Sequence, residues 1–125
     1  MVQVDISQLS VECSAWREKL RNYREEFNNN EARLRQVAGR PLSKEQLHDV
    51  EHLHNQFHIQ LINIHDLKHA VKVHERKINY EMSLNGGKLN AETLAHHENL
   101  LDQYQSLDST LLELREEFEQ FLSRT

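Results

Sequence analysis

The chain has 125 residues with 15 basic and 20 acidic side chains, a formal charge of −5, and is 38% hydrophobic and 28% charged. One proline and three glycines are too few breakers for a protein of short strands and turns, and they favour long helices. The acidic excess gathers late: from Glu92 to Arg124 two basic residues stand against eight acidic ones, a net of −6, the opposite of the basic footprint that nucleic acid requires.

Cys13 is the one cysteine, so neither an intrachain disulfide nor a thiolate metal cluster can form. No run of eighteen apolar residues exists to span a membrane. The N-terminus lacks the basic start and apolar run of a signal peptide, so a cytoplasmic protein is expected. The length suits one domain, residues 1–125.

In the first segment Leu9, Cys13, Trp16, Leu20, Tyr23, Phe27, Asn30, Leu34 and Val37 follow one another by alternating steps of four and three. That is a heptad seam, the period of a helix packed along a partner. Asn28, Asn29 and Asn30 are poor helix formers, but the seam keeps phase across them. The spacing predicts a helix over about 6–38, stopped by a left-handed cap at Gly39 and by Pro41.

The second segment repeats Val50, Phe57, Ile64, Val71 and Ile78 every seven residues, flanked by Leu53 and Leu67 on one side and Leu61 and Met82 on the other. So wide a face suits two neighbours. The predicted helix is about 44–84, ended by Asn85-Gly86-Gly87. The third runs over about 91–123, on a seam of His97, Leu100, Tyr104, Leu107, Leu111, Leu114, Phe118 and Phe121.

All three begin alike. Asp5, Ser43 and Asn90 suit N-caps. Gln8 and Gln46 stand where a capping box places its second member, with Thr93 a weaker match. Val4/Leu9, Leu42/Leu47 and Leu89/Leu94 are spaced as hydrophobic staples. Short connections between long helices make sequential neighbours antiparallel. The expected fold is all-α: an elongated, up-down-up three-helix bundle with coiled-coil-like seams. In architecture it resembles spectrin-type repeats, also long three-helix bundles with a tryptophan in the first helix; Trp16 is the one residue shared.

Seven of the nine histidines fall between His48 and His74. The pairs His48/His52, His54/His58 and His65/His69 are spaced one helical turn apart, as two imidazoles holding a metal must be. No pair reads His-Glu-x-x-His. A di-iron bundle needs Glu-x-x-His on two helices, whereas Glu51-His52-Leu53-His54 supplies one copy. A zinc or other divalent transition-metal site using Glu51, His54, His58, His65 or His69 is therefore the alternative expectation; the first is no cofactor. His54 and His74 border the core, and His97 is the seam histidine of the third segment.

The fourteen residues from His52 to His65 bear no formal charge. The outer face of the second helix carries His52, Asn55, Ile59, Ile62, His69 and Val73, where packing inside one bundle cannot bury the aliphatic groups. Charge depletion with aliphatic side chains is the composition of an interface centre. The expected function is a non-enzymatic interaction protein, a homodimer through this face, with a different partner protein as the other possibility. Histidines there are mostly neutral at pH 7 and charged in mild acid, so acid is expected to loosen such a dimer. No phosphate-cradling Gly-rich loop or nucleophile motif occurs, so no enzymatic activity is expected.

Overall fold

A computed structural model describes residues 6–84, 86 and 88–125, the side chain of Ile6 excepted. Three helices, α1 (Ile6–Ala38), α2 (Lys44–Leu84) and α3 (Ala91–Ser123), account for almost all of it, and no strand occurs among the described residues. They form an all-α three-helix bundle. The helices are roughly 50, 60 and 50 Å long at 1.5 Å per residue. α2 packs along both neighbours, whereas the α1 and α3 backbones approach each other only sparsely. The wide apolar face of α2 is thus used on two sides.

The starts follow local chemistry. At α2 the Ser43 hydroxyl accepts from the Gln46 backbone N–H at 3.1 Å, and the Gln46 side-chain oxygen accepts from the Ser43 N–H at 2.9 Å, a closed capping box. At α3 the Asn90 side chain accepts from the Glu92 N–H at 3.1 Å. Leu42, Leu89 and Leu94 pack on the core, but Leu47 is exposed, so the second staple is not closed. Val4 and Asp5, the first staple and cap, lie outside the described residues. Ser43→Ala removes the acceptor for one orphan N–H and is expected to cost about 1 kcal/mol, read as a lower thermal midpoint with unchanged helicity.

The stop after α1 differs from expectation. Gly39 does not adopt positive φ; Gly86, at φ 62°, does. α1 instead tightens into 3₁₀-type bonds, Gly39 N–H to Gln36 O at 3.3 Å and Arg40 N–H to Val37 O at 3.1 Å, which satisfy late carbonyls without a left-handed residue. Gly86 lies in the turn after α2, whose Asn85 and Gly87 fall outside the described residues.

The core is a stack of layers with one contribution per helix. Phe57 of α2 lies between Phe27 of α1, ring centroids 5.7 Å apart, and Phe118 of α3, 5.1 Å away and edge-on. The α2 seam is Leu53, Phe57, Gln60, Ile64, Leu67, Val71, His74, Ile78 and Glu81, all buried, in the same alternation of four and three as α1. Val50, on the sequence-derived centre line, is only half-buried. The true line runs to one side of it and takes in three polar residues.

Side chains tie α1 to α3 where their backbones stay apart. Arg115 reaches both oxygens of Glu26, at 2.7 and 2.5 Å. The Tyr23 hydroxyl donates to Asp108, which Lys19 also approaches at 3.1 Å. Lys68 and Lys72 line a groove against α1 beside Arg17 and Arg21.

Candidate functional site

Polar groups concentrate in the core at one end of the bundle, where the start of α1, the end of α2 and the start of α3 meet. Each helix places one seam residue there: Cys13, His74 and His97, all buried. The local reason is the seam period, because each occupies an inward position that Leu or Val fills elsewhere in the stack. His74 Nε2 lies 2.9 Å from His97 Nδ1, and Cys13 Sγ lies 4.0 Å from the same nitrogen. One ligand-type atom from each residue falls within 4.8 Å of the other two. The Trp16 ring covers His97 at 4.9 Å and also stacks on Tyr104 at 5.8 Å.

Carboxylates surround this triplet. Glu12 Oε2 lies 2.7 Å from His97 Nε2. Glu75 pairs with Arg17 at 2.7 Å. Glu81 is buried and accepts a short bond from the Thr93 hydroxyl; among the described residues no cation pairs with it. Thr93, matched above to a capping box, is itself buried and joins α3 to α2. His96 packs edge-on to His74 at 5.0 Å.

The hydrogen-bond partners assign the protons. Glu12 is an acceptor, so His97 carries its proton on Nε2 and presents a lone pair at Nδ1. His74 then donates from Nε2 into that lone pair. Its Nδ1, buried and without a partner, is an acceptor with no donor. Burial holds the His74 pKa down at about 4, helped by His97, His96 and Lys77 and opposed by Glu81, so the ring is neutral at pH 7. Burial likewise pushes the Cys13 thiol up to about 11, with Glu75 and Glu12 adding to the shift and Arg17 opposing it. Thiol, imidazole and carboxylate stand in the order of a cysteine nucleophile with its base, but a fully buried thiol with a raised pKa is the reverse of a reactive one.

The sequence-derived site residues lie elsewhere. Glu51, His54, His58, His65 and His69 are all exposed, and among the described residues no three of them converge as metal ligands do. His58 and His65 border a shallow groove against α1, with Arg24, Asn28 and Ile62. Of the outer face, Ile59, Ile62 and Val73 are 46%, 48% and 48% exposed. Asn55 and His69 are exposed too. His52 reaches across to α3, 2.8 Å from Glu117. Reading Cys13 as a small buried residue and His97 as a seam residue agrees with their burial. Their meeting with His74 was legible only in part: moving the α2 seam line from Val50 to Leu53 and Phe57 brings His74 into phase.

A groove of about 740 Å³ lies between α2 and α3, lined by Gln60, Asn63, Asp66, Asn99, Asp102 and Gln103 among others. It accounts for Gln60 on a core seam: its amide oxygen accepts from Asn63 at 3.1 Å where the groove opens.

Fold and site together define an all-α three-helix bundle with a polar layer of thiol, imidazole and carboxylate groups at one end of its core. Compared with known family models, curated proteins and solved structures, the chain finds no significant match. Among the described residues no helix is long and apolar enough to cross a membrane.

Proposed function

We propose that this protein is a non-enzymatic helical interaction module, located in the cytoplasm, that self-associates through the outer face of α2 from His52 to Val73. The observation that carries this reading is the near-half exposure of Ile59, Ile62 and Val73 on a helix whose residues from His52 to His65 carry no formal charge. Single exposed aliphatic residues are ordinary. A group of them on one helix face, with Ile59 and Ile62 inside the uncharged stretch, has the composition of an interface centre and not of a solvated surface. The core is already filled by the other faces of α2, so these side chains add nothing to the fold of a single chain. A second copy supplies a self-complementary apolar surface through a two-fold contact.

Light scattering on the purified chain tests this directly. The expected mass is twice the 14.9 kDa of one chain, and a strict monomer at all accessible concentrations overturns the reading. Ile59→Glu combined with Ile62→Glu is expected to return the mass to one chain while helicity stays unchanged, because neither residue belongs to the core. A dimer that survives both charges has its interface elsewhere.

A further inference from the structure

We infer that Cys13, His74 and His97 form a transition-metal site inside the bundle, of the zinc class, with Cys13 Sγ, His74 Nε2 and His97 Nδ1 as ligands and Glu12 orienting His97 from behind. The inference is independent of self-association.

The ligand atoms stand close to where an ion needs them. With Zn–N of about 2.0–2.1 Å and Zn–S of about 2.3 Å, tetrahedral coordination asks for N···N near ~3.3 Å and N···S near ~3.6 Å. The separations are 2.9 Å between the imidazole nitrogens and 4.0 Å between sulfur and His97, each within roughly half an ångström of that geometry, and the third pair of ligand-type atoms lies within 4.8 Å. A thiolate with two imidazoles is a borderline-soft set that suits Zn²⁺ and its neighbours and not Mg²⁺ or Ca²⁺. Three protein ligands leave one tetrahedral position without a protein donor.

The surroundings fit an ion better than they fit a purely structural core. Metal-bound histidines characteristically donate their second ring N–H to a carboxylate, which fixes the tautomer, and Glu12 stands 2.7 Å from His97 Nε2. Glu81 is a buried carboxylate without a paired cation among the described residues. Such an acid is costly in a dry core, and a dication held with one thiolate compensates it. Large substrates cannot reach Cys13, which is fully buried, whereas Glu12 is partly exposed and opens the layer to an ion.

The protons balance. Binding M²⁺ replaces the thiol proton of Cys13, which leaves to solvent. The His74 proton passes from Nε2 to Nδ1, freeing the Nε2 lone pair. His97 already presents Nδ1 unprotonated. One proton is released per ion, as thiolate ligation requires.

The test uses the full chain, reduced, stripped with chelator and kept free of oxygen. Co²⁺, a spectroscopic stand-in for Zn²⁺, is expected to bind at one equivalent. It should develop a thiolate-to-cobalt charge-transfer band with tetrahedral visible absorption, and Zn²⁺ should bleach both. The quintuple surface variant Glu51→Ala, His54→Ala, His58→Ala, His65→Ala and His69→Ala should keep the band. Glu12→Gln should keep the band with affinity about 10–100-fold weaker, the effect of losing a carboxylate behind a ligating histidine. Cys13→Ser should abolish the band; if it also costs helicity, the partly exposed Glu12 and the surface variant still decide the matter on folded protein. No cobalt uptake, uptake without the thiolate band, loss of the band in the surface variant, or an affinity indifferent to Glu12→Gln each overturns the site.

Discussion

Phe57→Ala is expected to destabilise the protein by about 3–5 kcal/mol, the range for removing a buried aromatic ring from a close-packed core. Phe57 has no exposed surface, and its ring touches Phe27 on α1 and Phe118 on α3. Because α1 and α3 have few backbone contacts of their own, the ring is one of the few groups that hold all three helices at one level. Its loss removes aromatic contacts on both sides as well as transferred area. Neighbouring helices roughly 50 Å long cannot collapse locally into the gap without shifting other layers, so much of the cavity should remain. In urea, with a slope of about 1–3 kcal/mol per molar for a small domain, the midpoint should fall by more than 1 M. Tyr80→Ala, a large truncation at an exposed position on the same helix, should stay within about 0.5 kcal/mol of the parent. Equal losses at Phe57 and Tyr80 would mean that the core is not the stack described.

Tyr23→Phe is the second large effect, expected at about 1.5–3 kcal/mol, the range for a hydrogen bond to a charged group. The ring is buried and its hydroxyl donates to the half-buried carboxylate of Asp108. Phenylalanine fills the same space but removes the hydroxyl donor, leaving Asp108 to Lys19 and the charge of Arg115. Water reaches part of Asp108, so the lower end of the range applies. The pH dependence gives a second readout. Hydrogen bonding from Tyr23 holds the Asp108 carboxyl below its ordinary 3.8, with Lys19 and Arg115 acting in the same direction against burial. In the folded state Asp108 therefore releases its proton at lower pH than in the unfolded chain. The stability it contributes is complete above the unfolded value and is lost as pH falls through the folded one. The gap between the parent and Tyr23→Phe should be constant around neutrality and narrow below about pH 4. Denaturation curves at pH 7 and near pH 3 measure it. A gap that persists undiminished in acid would assign the effect to packing and not to the Asp108 bond.

Much of this architecture was written in local signals. The three helices end, and α2 and α3 begin, where the periodicity places them, and the Ser43–Gln46 box closes as its spacing requires. These features depend on groups within a turn or two of one another. A residue's role is less legible where it depends on a neighbouring helix, and one local detail also departs from the spacing. Gly39 was assigned a left-handed cap that the bonds to Gln36 and Val37 make unnecessary.

The α2 seam shows the boundary most clearly. Hydropathy drew its line through Val50, Phe57, Ile64, Val71 and Ile78, because those residues repeat every seven. The buried line alternates steps of four and three and admits Gln60, His74 and Glu81, which a search for apolar residues passes over. The histidine count also directed attention to the exposed pairs of α2, while the imidazoles that meet in the core are His74 and His97, which are 23 residues apart in sequence.

By itself the sequence determined the number of helices, their approximate limits and most of the residues of α1 and α3 that turn inward, because periods and caps act within a single helix; Asn30 and Tyr104 are only half-buried, and the buried Thr93 lies off the expected seam. Only the tertiary structure decided the rotational phase of α2 and the level at which each helix sits beside its neighbours. Those two quantities bring Cys13, His74 and His97 into one layer. They are set by how side chains from three helices interlock, a property that no single segment contains.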